Sequence, residues 1–164
     1  LIKTNVFDWD SEKGFAHIFQ SKGGFDYIVG NPPYVEVKNY NAALPHMHRF
    51  IKQNFLASKN GKVDLAIPFV ERGISLLNDT GRLGFVIQKR FFKTNYGKKI
   101  REIISQRQLV SSVVDFQTTE IFKGRITYIA ILILDKYLSE TEFFKVFDVI
   151  INSIFCISQH MVRM

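Results

Sequence analysis

Phe25-Asp26-Tyr27-Ile28-Val29-Gly30-Asn31-Pro32-Pro33-Tyr34 runs an apolar segment straight into a Gly/Pro cluster. β-branched and aromatic residues dominate Phe25 to Val29, and the cluster cuts the run off, so it reads as a short buried strand delivering a rigid loop. Two consecutive prolines lack backbone N–H groups and have a fixed φ. The loop therefore offers carbonyl acceptors in a preset direction and almost no donors. Asn31 Oδ1 and the Pro32 carbonyl can together accept both hydrogens of a planar amino group, while the Tyr34 ring stacks on the heterocycle carrying it. The residue types describe a site for an exocyclic amine on a flat ring.

Upstream, Leu1 to Phe7 alternates weakly and leaves a strand at Asp8-Trp9-Asp10. Ser11 to Gln20 is expected to be a short helix capped by Ser11, and Ser21-Lys22-Gly23-Gly24 a turn into the strand. Downstream of Tyr34 a polar stretch reaches Lys62 and is expected to be irregular; loops longer than about 15 residues are usually functional or disordered. From Asp64 to Leu77 the apolar positions Val63, Ala66, Ile67, Val70, Ile74 and Leu77 have the spacing of a helix with one buried face, with Pro68 in its first turn. Asn78-Asp79-Thr80-Gly81 reads as a turn, and Leu83 to Ile87 as a second buried strand. A helix capped by Thr94 or Asn95 is expected to run to about Gln106, with Ile100, Ile103 and Ile104 inward. Leu109–Phe116 and Ile126–Leu134 read as the last two strands, whose short connection makes them antiparallel. Beyond Asp135, Phe143 to Ile157 is apolar almost all round, and its pattern leaves helix and strand both open.

At 164 residues, 46% hydrophobic and 14% aromatic, the chain has the material for a sizeable core. A formal net charge of +7 and a pI of about 9.5 favour a polyanionic partner. The excess is local: Arg82, Lys89, Arg90, Lys93, Lys98, Lys99, Arg101 and Arg107 lie in one stretch with Glu102 as its one acid. Phe91, Phe92 and Tyr96 are interleaved with these cations. That pattern suits a nucleic-acid surface, where cations bind phosphates and rings stack on bases, and equally a solvated helix face with core aromatics. The single Cys156 excludes an internal disulfide and points to a reducing compartment. His17, His46, His48 and His160 are scattered without metal-ligand spacing, so no metal is expected. No apolar run approaches the roughly 20 residues of a membrane span, and a cytoplasmic location is the expectation.

The strand followed by Asn31-Pro32-Pro33-Tyr34 resembles the catalytic motif of the S-adenosylmethionine-dependent DNA adenine-N6 methyltransferases. Asp64 to Arg72, followed by Gly81 to Ile87, is similar to the next two motifs of that family. Their long distance from the loop matches the large restriction-modification polypeptides of type IIG better than compact methyltransferases. The resemblance implies an α/β fold, the catalytic half of a Rossmann-like sheet with flanking helices, and S-adenosylmethionine as cofactor. It gives Asn31, Pro32 and Tyr34 catalytic roles, and sets Pro33 and Phe122 against the substrate base. It places Asn5, Asp64 and Phe69 on the cofactor side, although a turn residue, a helix cap and a core aromatic explain those three as well. Lys89, Arg90, Lys93, Lys98 and Lys99 become candidate contacts to double-stranded DNA, with the polar stretch after Tyr34 as a lid over the target base.

The catalytic half is expected over residues 1–135, with 136–164 a C-terminal segment whose structure the sequence leaves open. The family's glycine-rich cofactor loop is expected before Leu1 and a DNA-recognition domain after about Asp135, so the chain is expected to be a fragment inactive alone. Two other readings share these residues. One is methylation of protein glutamine or RNA guanine by the same loop, and the other is an inactive nucleic-acid-binding remnant.

Overall fold

Gly23 and Gly24 set the entry into the sheet. In the computed structural model, which describes residues 11–35, 44–59, 64–116, 128–137, 143–150 and 156–163, helix α1 (Ala16–Lys22) ends at Gly23 with φ 74°. Gly24 follows at φ 152°, where a Cβ would lie 2.5 Å from the Leu76 carbonyl oxygen, so only glycine fits the turn. The helix starts later than its sequence suggests. The Ser11 carbonyl accepts the N–H groups of Gly14 and Ala16 in a turn, and the cap position belongs to Phe15, with no side-chain bond. Phe15 and Phe19 then pack edge-on against Phe25, at 5.4 and 5.6 Å between ring centres.

Strand β1 (Phe25–Gly30) pairs in parallel with β2 (Leu77–Gln88). The register passes from Phe25↔Leu77 to Tyr27↔Arg82, which pushes residues 78–81 out of the ladder. The turn expected at Asn78 to Gly81 is thus an excursion inside a longer strand. Asn78 Oδ1 accepts the Thr80 N–H at 3.1 Å within it, and Asn78 Nδ2 donates to Asp26 Oδ1 at 2.7 Å. Asp26 also receives Lys22 Nζ at 2.8 Å, and these two partners, Lys22 first, hold its carboxyl below the usual range.

Between the strands the polar stretch is partly regular, against expectation. Helix α2 (Pro45–Asn54) has proline in its first turn, and a single 3₁₀ turn follows at Leu56–Ser58. One buried residue, Ile51, anchors α2 on Leu65, Val35 and Phe55, too few apolar positions to show as a period. Helix α3 (Ala66–Leu76) begins two residues after Asp64, whose Oδ1 accepts the Ala66 N–H at 3.0 Å. Gly73 lets this helix sit close on β2, since a Cβ there would be 2.4 Å from Leu83 Cδ1. After β2 come α4 (Arg90–Lys93), a 3₁₀ turn at Asn95–Gly97 and α5 (Lys98–Gln106). Gly97, not Thr94 or Asn95, precedes α5, and the Thr94 hydroxyl instead donates back to the Arg90 carbonyl at 2.8 Å.

Strands β3 (Val110–Asp115), β4 (Ile129–Asp135), β5 (Phe143–Ile150) and β6 (Cys156–Arg163) complete a six-stranded sheet of order β1-β2-β4-β3-β5-β6. β4 runs antiparallel to both β2 and β3, as the hairpin reading requires. β5 lies parallel to β3, with β6 antiparallel beside it, so the segment whose pattern was open extends the sheet. The core joins Ile67, Val70 and Ile74 of α3 and Ile100 and Ile104 of α5 to Leu83, Phe85, Ile87, Leu132 and Leu134 of the sheet. On the other face Tyr27 and Val29 remain 75% and 84% exposed beside Val86, Ile131 and Ile133 in an open groove, so β1, at the end of the strand order, is not the buried strand its composition suggests. No helix among the described residues is long and apolar enough to cross a membrane.

The topology fixes where chemistry can occur. β1 and β2 run the same way, so Asn31–Tyr34 and Lys89–Gly97 leave the sheet at one edge, the carboxyl ends of its parallel strands. α3 leads directly into the start of β2 and α5 into β3, so both helices begin at that same edge.

Candidate active site

Asn31 is exposed, Pro32 buried, Pro33 exposed and Tyr34 half-buried, so the buried proline seats the loop and leaves the carboxamide at the surface. The Tyr34 hydroxyl donates to Asn31 Oδ1 at 2.7 Å and lies 3.0 Å from the Val86 carbonyl oxygen, which also accepts from it. A phenol has one proton, so the two acceptors share it. The pair ties the loop to the neighbouring strand. Burial first, and then the charge of Asp64, push the Tyr34 hydroxyl above its ordinary value of 10.0, which keeps the proton in place at neutral pH.

Asp64 is buried beneath this loop's end. Its Oδ1 is bonded to the Ala66 N–H and its Oδ2 receives Arg90 Nη2 at 2.9 Å, so both carboxylate oxygens are engaged within the chain. Phe69, by contrast, leaves its ring 49% exposed on α3. Asn5 and Phe122 lie outside the described residues. Among the described residues no group of three His, Cys, Asp or Glu could hold a metal ion.

The basic segment divides in two. Lys89 Nζ meets Asp115 Oδ1 at 2.6 Å, and Arg90 bridges Asp64 with its guanidinium 5.8 Å from the Tyr96 ring centre. Lys93 and Lys98 are exposed, and Lys99 makes an exposed pair with Glu102 at 3.1 Å. Phe91 is buried in the core and Phe92 packs edge-on against it at 5.5 Å, so these two rings are core aromatics. Tyr96 stays half-buried beside the lysines.

Arg90→Ala is accordingly expected to act on stability. It leaves the buried Asp64 carboxylate without its cation; with the guanidinium about a third exposed, we expect a loss of about 2 kcal/mol, below the roughly 3–5 kcal/mol for breaking a fully buried pair. Thermal melting of the variant checks this, and an unchanged midpoint contradicts it.

Two participants were not visible in the sequence. The Val86 carbonyl is a backbone group and carries no residue signature. Glu71 accepts the Leu56 and Ala57 N–H groups at 2.7 and 2.8 Å, holding the 3₁₀ turn against α3 across a gap no local pattern spans.

The chain is similar to known proteins over most of its length. The type II restriction enzyme and methyltransferase RM.Eco57I of Escherichia coli is 34% identical over 112 residues, covering 68% of this chain and 11% of the enzyme. The type II methyltransferase M.BstVI of Geobacillus stearothermophilus is 34% identical over 111 residues, covering 67% of this chain and 19% of that protein. The chain thus spans under a fifth of the length of these relatives. Among solved structures, a Listeria monocytogenes protein assigned as a class I S-adenosylmethionine-dependent methyltransferase superposes with a TM-score of 0.59 at 17% identity, over 77% of this chain and 37% of its own. That superposition establishes the Rossmann-like methyltransferase fold. A family model described as Eco57I restriction-modification methylase matches residues 2–122, and the chain belongs to that family.

Proposed function

We propose that the chain carries the catalytic half of a DNA adenine-N6 methyltransferase of a restriction-modification system, with double-stranded DNA as substrate and S-adenosylmethionine as methyl donor. The observation that carries this reading is the loop itself: an exposed carboxamide at Asn31, seated by the buried Pro32 and fastened through Tyr34 to the next strand, at the carboxyl edge of the parallel strands.

An adenine leaves the duplex at a cost of a few kcal/mol and enters with its amino group towards the loop. Asn31 Oδ1 and the Pro32 carbonyl accept its two N–H bonds, turning the nitrogen lone pair away from the ring. Tyr34 covers the face of the base. S-adenosylmethionine, when bound, supplies the methyl sulfonium. As the new C–N bond forms and the sulfonium's S–CH3 bond breaks to leave a neutral thioether, the two carbonyl oxygens stabilise the positive charge developing on nitrogen, and one of its protons then passes to solvent. No protein nucleophile is needed.

Of the residues assigned to the cofactor side, the exposed Phe69 ring suits an apolar wall for a sulfonium nucleoside. Asp64 is buried with one bond on each oxygen, so it would meet a hydroxyl of that nucleoside through its remaining lone pairs while Arg90 holds it in place. The test is incubation of the full polypeptide with methyl-labelled S-adenosylmethionine and duplex DNA, followed by nucleoside analysis. Label in N6-methyladenine is the expected result. Label in glutamine or guanine, or none in DNA, overturns the reading.

A further inference from the structure

Across the sheet edge from the basic stretch lies a lysine that the sequence did not group with it. Lys59 follows the 3₁₀ turn at Leu56–Ser58 and faces Asn95, Tyr96, Lys98 and Lys99 across an open groove of about 310 Å³. We infer that this groove binds the sugar-phosphate backbone of duplex DNA beside the catalytic loop, with Lys59 on one wall and Lys98 and Lys99 on the other. The inference rests on the proposed DNA substrate and adds where the duplex is gripped.

Both walls are held by internal charge, which leaves the lysines to act outward. On one side the Glu71 carboxylate receives the backbone N–H groups of Leu56 and Ala57. On the other, Arg101 Nη1 donates to the carbonyls of Phe91 and Thr94 at 2.5 and 2.9 Å, fixing the corner that leads into Lys98. Such charge-assisted bonds are the stronger ones, so the groove is preformed. Three lysines line it against one acid, Glu102, whose exposed pair with Lys99 contributes little and exchanges readily for a phosphate. Lys89 and Arg90 face carboxylates instead, and so do not belong to this surface. The groove also opens where the chemistry is placed, since Asn95–Lys99 follow β2 at the carboxyl edge that carries Asn31.

The test is titration of a fluorescent 30-base-pair duplex with the full polypeptide at several salt concentrations. Wild type is compared with Lys59→Ala/Lys98→Ala and with a charge-matched control, Lys13→Ala/Lys22→Ala, which lies before β1 at the far end of the sheet. Each lost phosphate contact lowers the slope of log K against log salt by about 0.9, so the groove pair is expected to reduce it by about 2 and the control by under about 0.5. Affinity at about 50 mM salt should fall at least about tenfold for the groove pair alone. Equal slopes for the two pairs, or stronger competition by single-stranded RNA than by duplex, overturns the inference. Methyl transfer by the same preparations separates this from the function: with the groove wrong and the function right, all three transfer methyl groups with the same salt dependence. With the function wrong, none does, whatever the slopes.

Discussion

Asn31→Ala is expected to lower methyl transfer by about a thousandfold while changing cofactor affinity less than about twofold; loss of one preorganised group facing developing charge commonly costs 10² to 10³ in turnover. Here the replacement removes two things at once. It deletes the acceptor for one N–H of the amine, and it frees the Tyr34 hydroxyl from its 2.7 Å bond. Asn31 lies at the exposed tip of its loop, so the change leaves the core of Ile67, Leu83 and Leu132 untouched and the protein folded. Because the lost interaction forms with the reacting nitrogen, kcat should fall far more than KM rises. Asn31→Asp keeps acceptor oxygens towards both the amine and Tyr34, and should fall between wild type and alanine. Single-turnover transfer to duplex DNA measures all three, and wild-type turnover by Asn31→Ala removes the residue from the chemistry.

The elements that read correctly from sequence are those in which local chemistry and tertiary packing agree. Phe25–Val29 is mostly apolar and stopped by Gly/Pro, and β1 covers it with Gly30 added, although the strand is largely exposed where its composition suggests burial. Ala66, Ile67, Val70 and Ile74 repeat at helical spacing, and all four are buried in α3. The failures have a common cause in contacts between distant residues. Helix α2 rests on the single buried Ile51, held by Leu65 and Val35 from outside the helix. The excursion at residues 78–81 reads as a turn because it is one, but Leu77 is drawn into the ladder by Phe25, far earlier in the chain. The last strands had no readable period, and their assignment follows from pairing with β3.

The site was legible in the same uneven way. Asn31, Pro32 and Tyr34 announce themselves because adjacent prolines between an amide and an aromatic ring are chemically specific. The basic stretch announced charge without saying where it points: Lys89 and Arg90 turn to Asp115 and Asp64, while Lys98 and Lys99 stay at the surface. A run of cations in sequence cannot distinguish these, because the carboxylates that claim two of them come from other elements. Lys59 is the converse case, a cation nearly forty residues before Lys98 whose grouping with it exists in three dimensions alone.

The Tyr34 ring and hydroxyl make separable contributions, and a pair of substitutions should divide them. Tyr34→Phe keeps the ring but leaves Asn31 Oδ1 and the Val86 carbonyl without their shared donor, so the carboxamide is free to turn. A hydrogen bond of this kind contributes about 1 kcal/mol net, and the expected cost is about five- to tenfold in kcat with little change in KM. Tyr34→Ala loses that bond and also the face of the base, where an aromatic ring contributes about 1 to 3 kcal/mol, so its turnover should fall by about a hundredfold or more. The hydroxyl effect should be constant across neutral pH. Burial and Asp64 raise the Tyr34 pKa, so the phenol keeps its proton until the pH passes above its ordinary value of 10.0. If phenylalanine and alanine were equally impaired, the ring would have no stacking role. If phenylalanine matched wild type, the tie between Asn31 and Val86 would be structural ornament, and Pro32 alone would fix the loop.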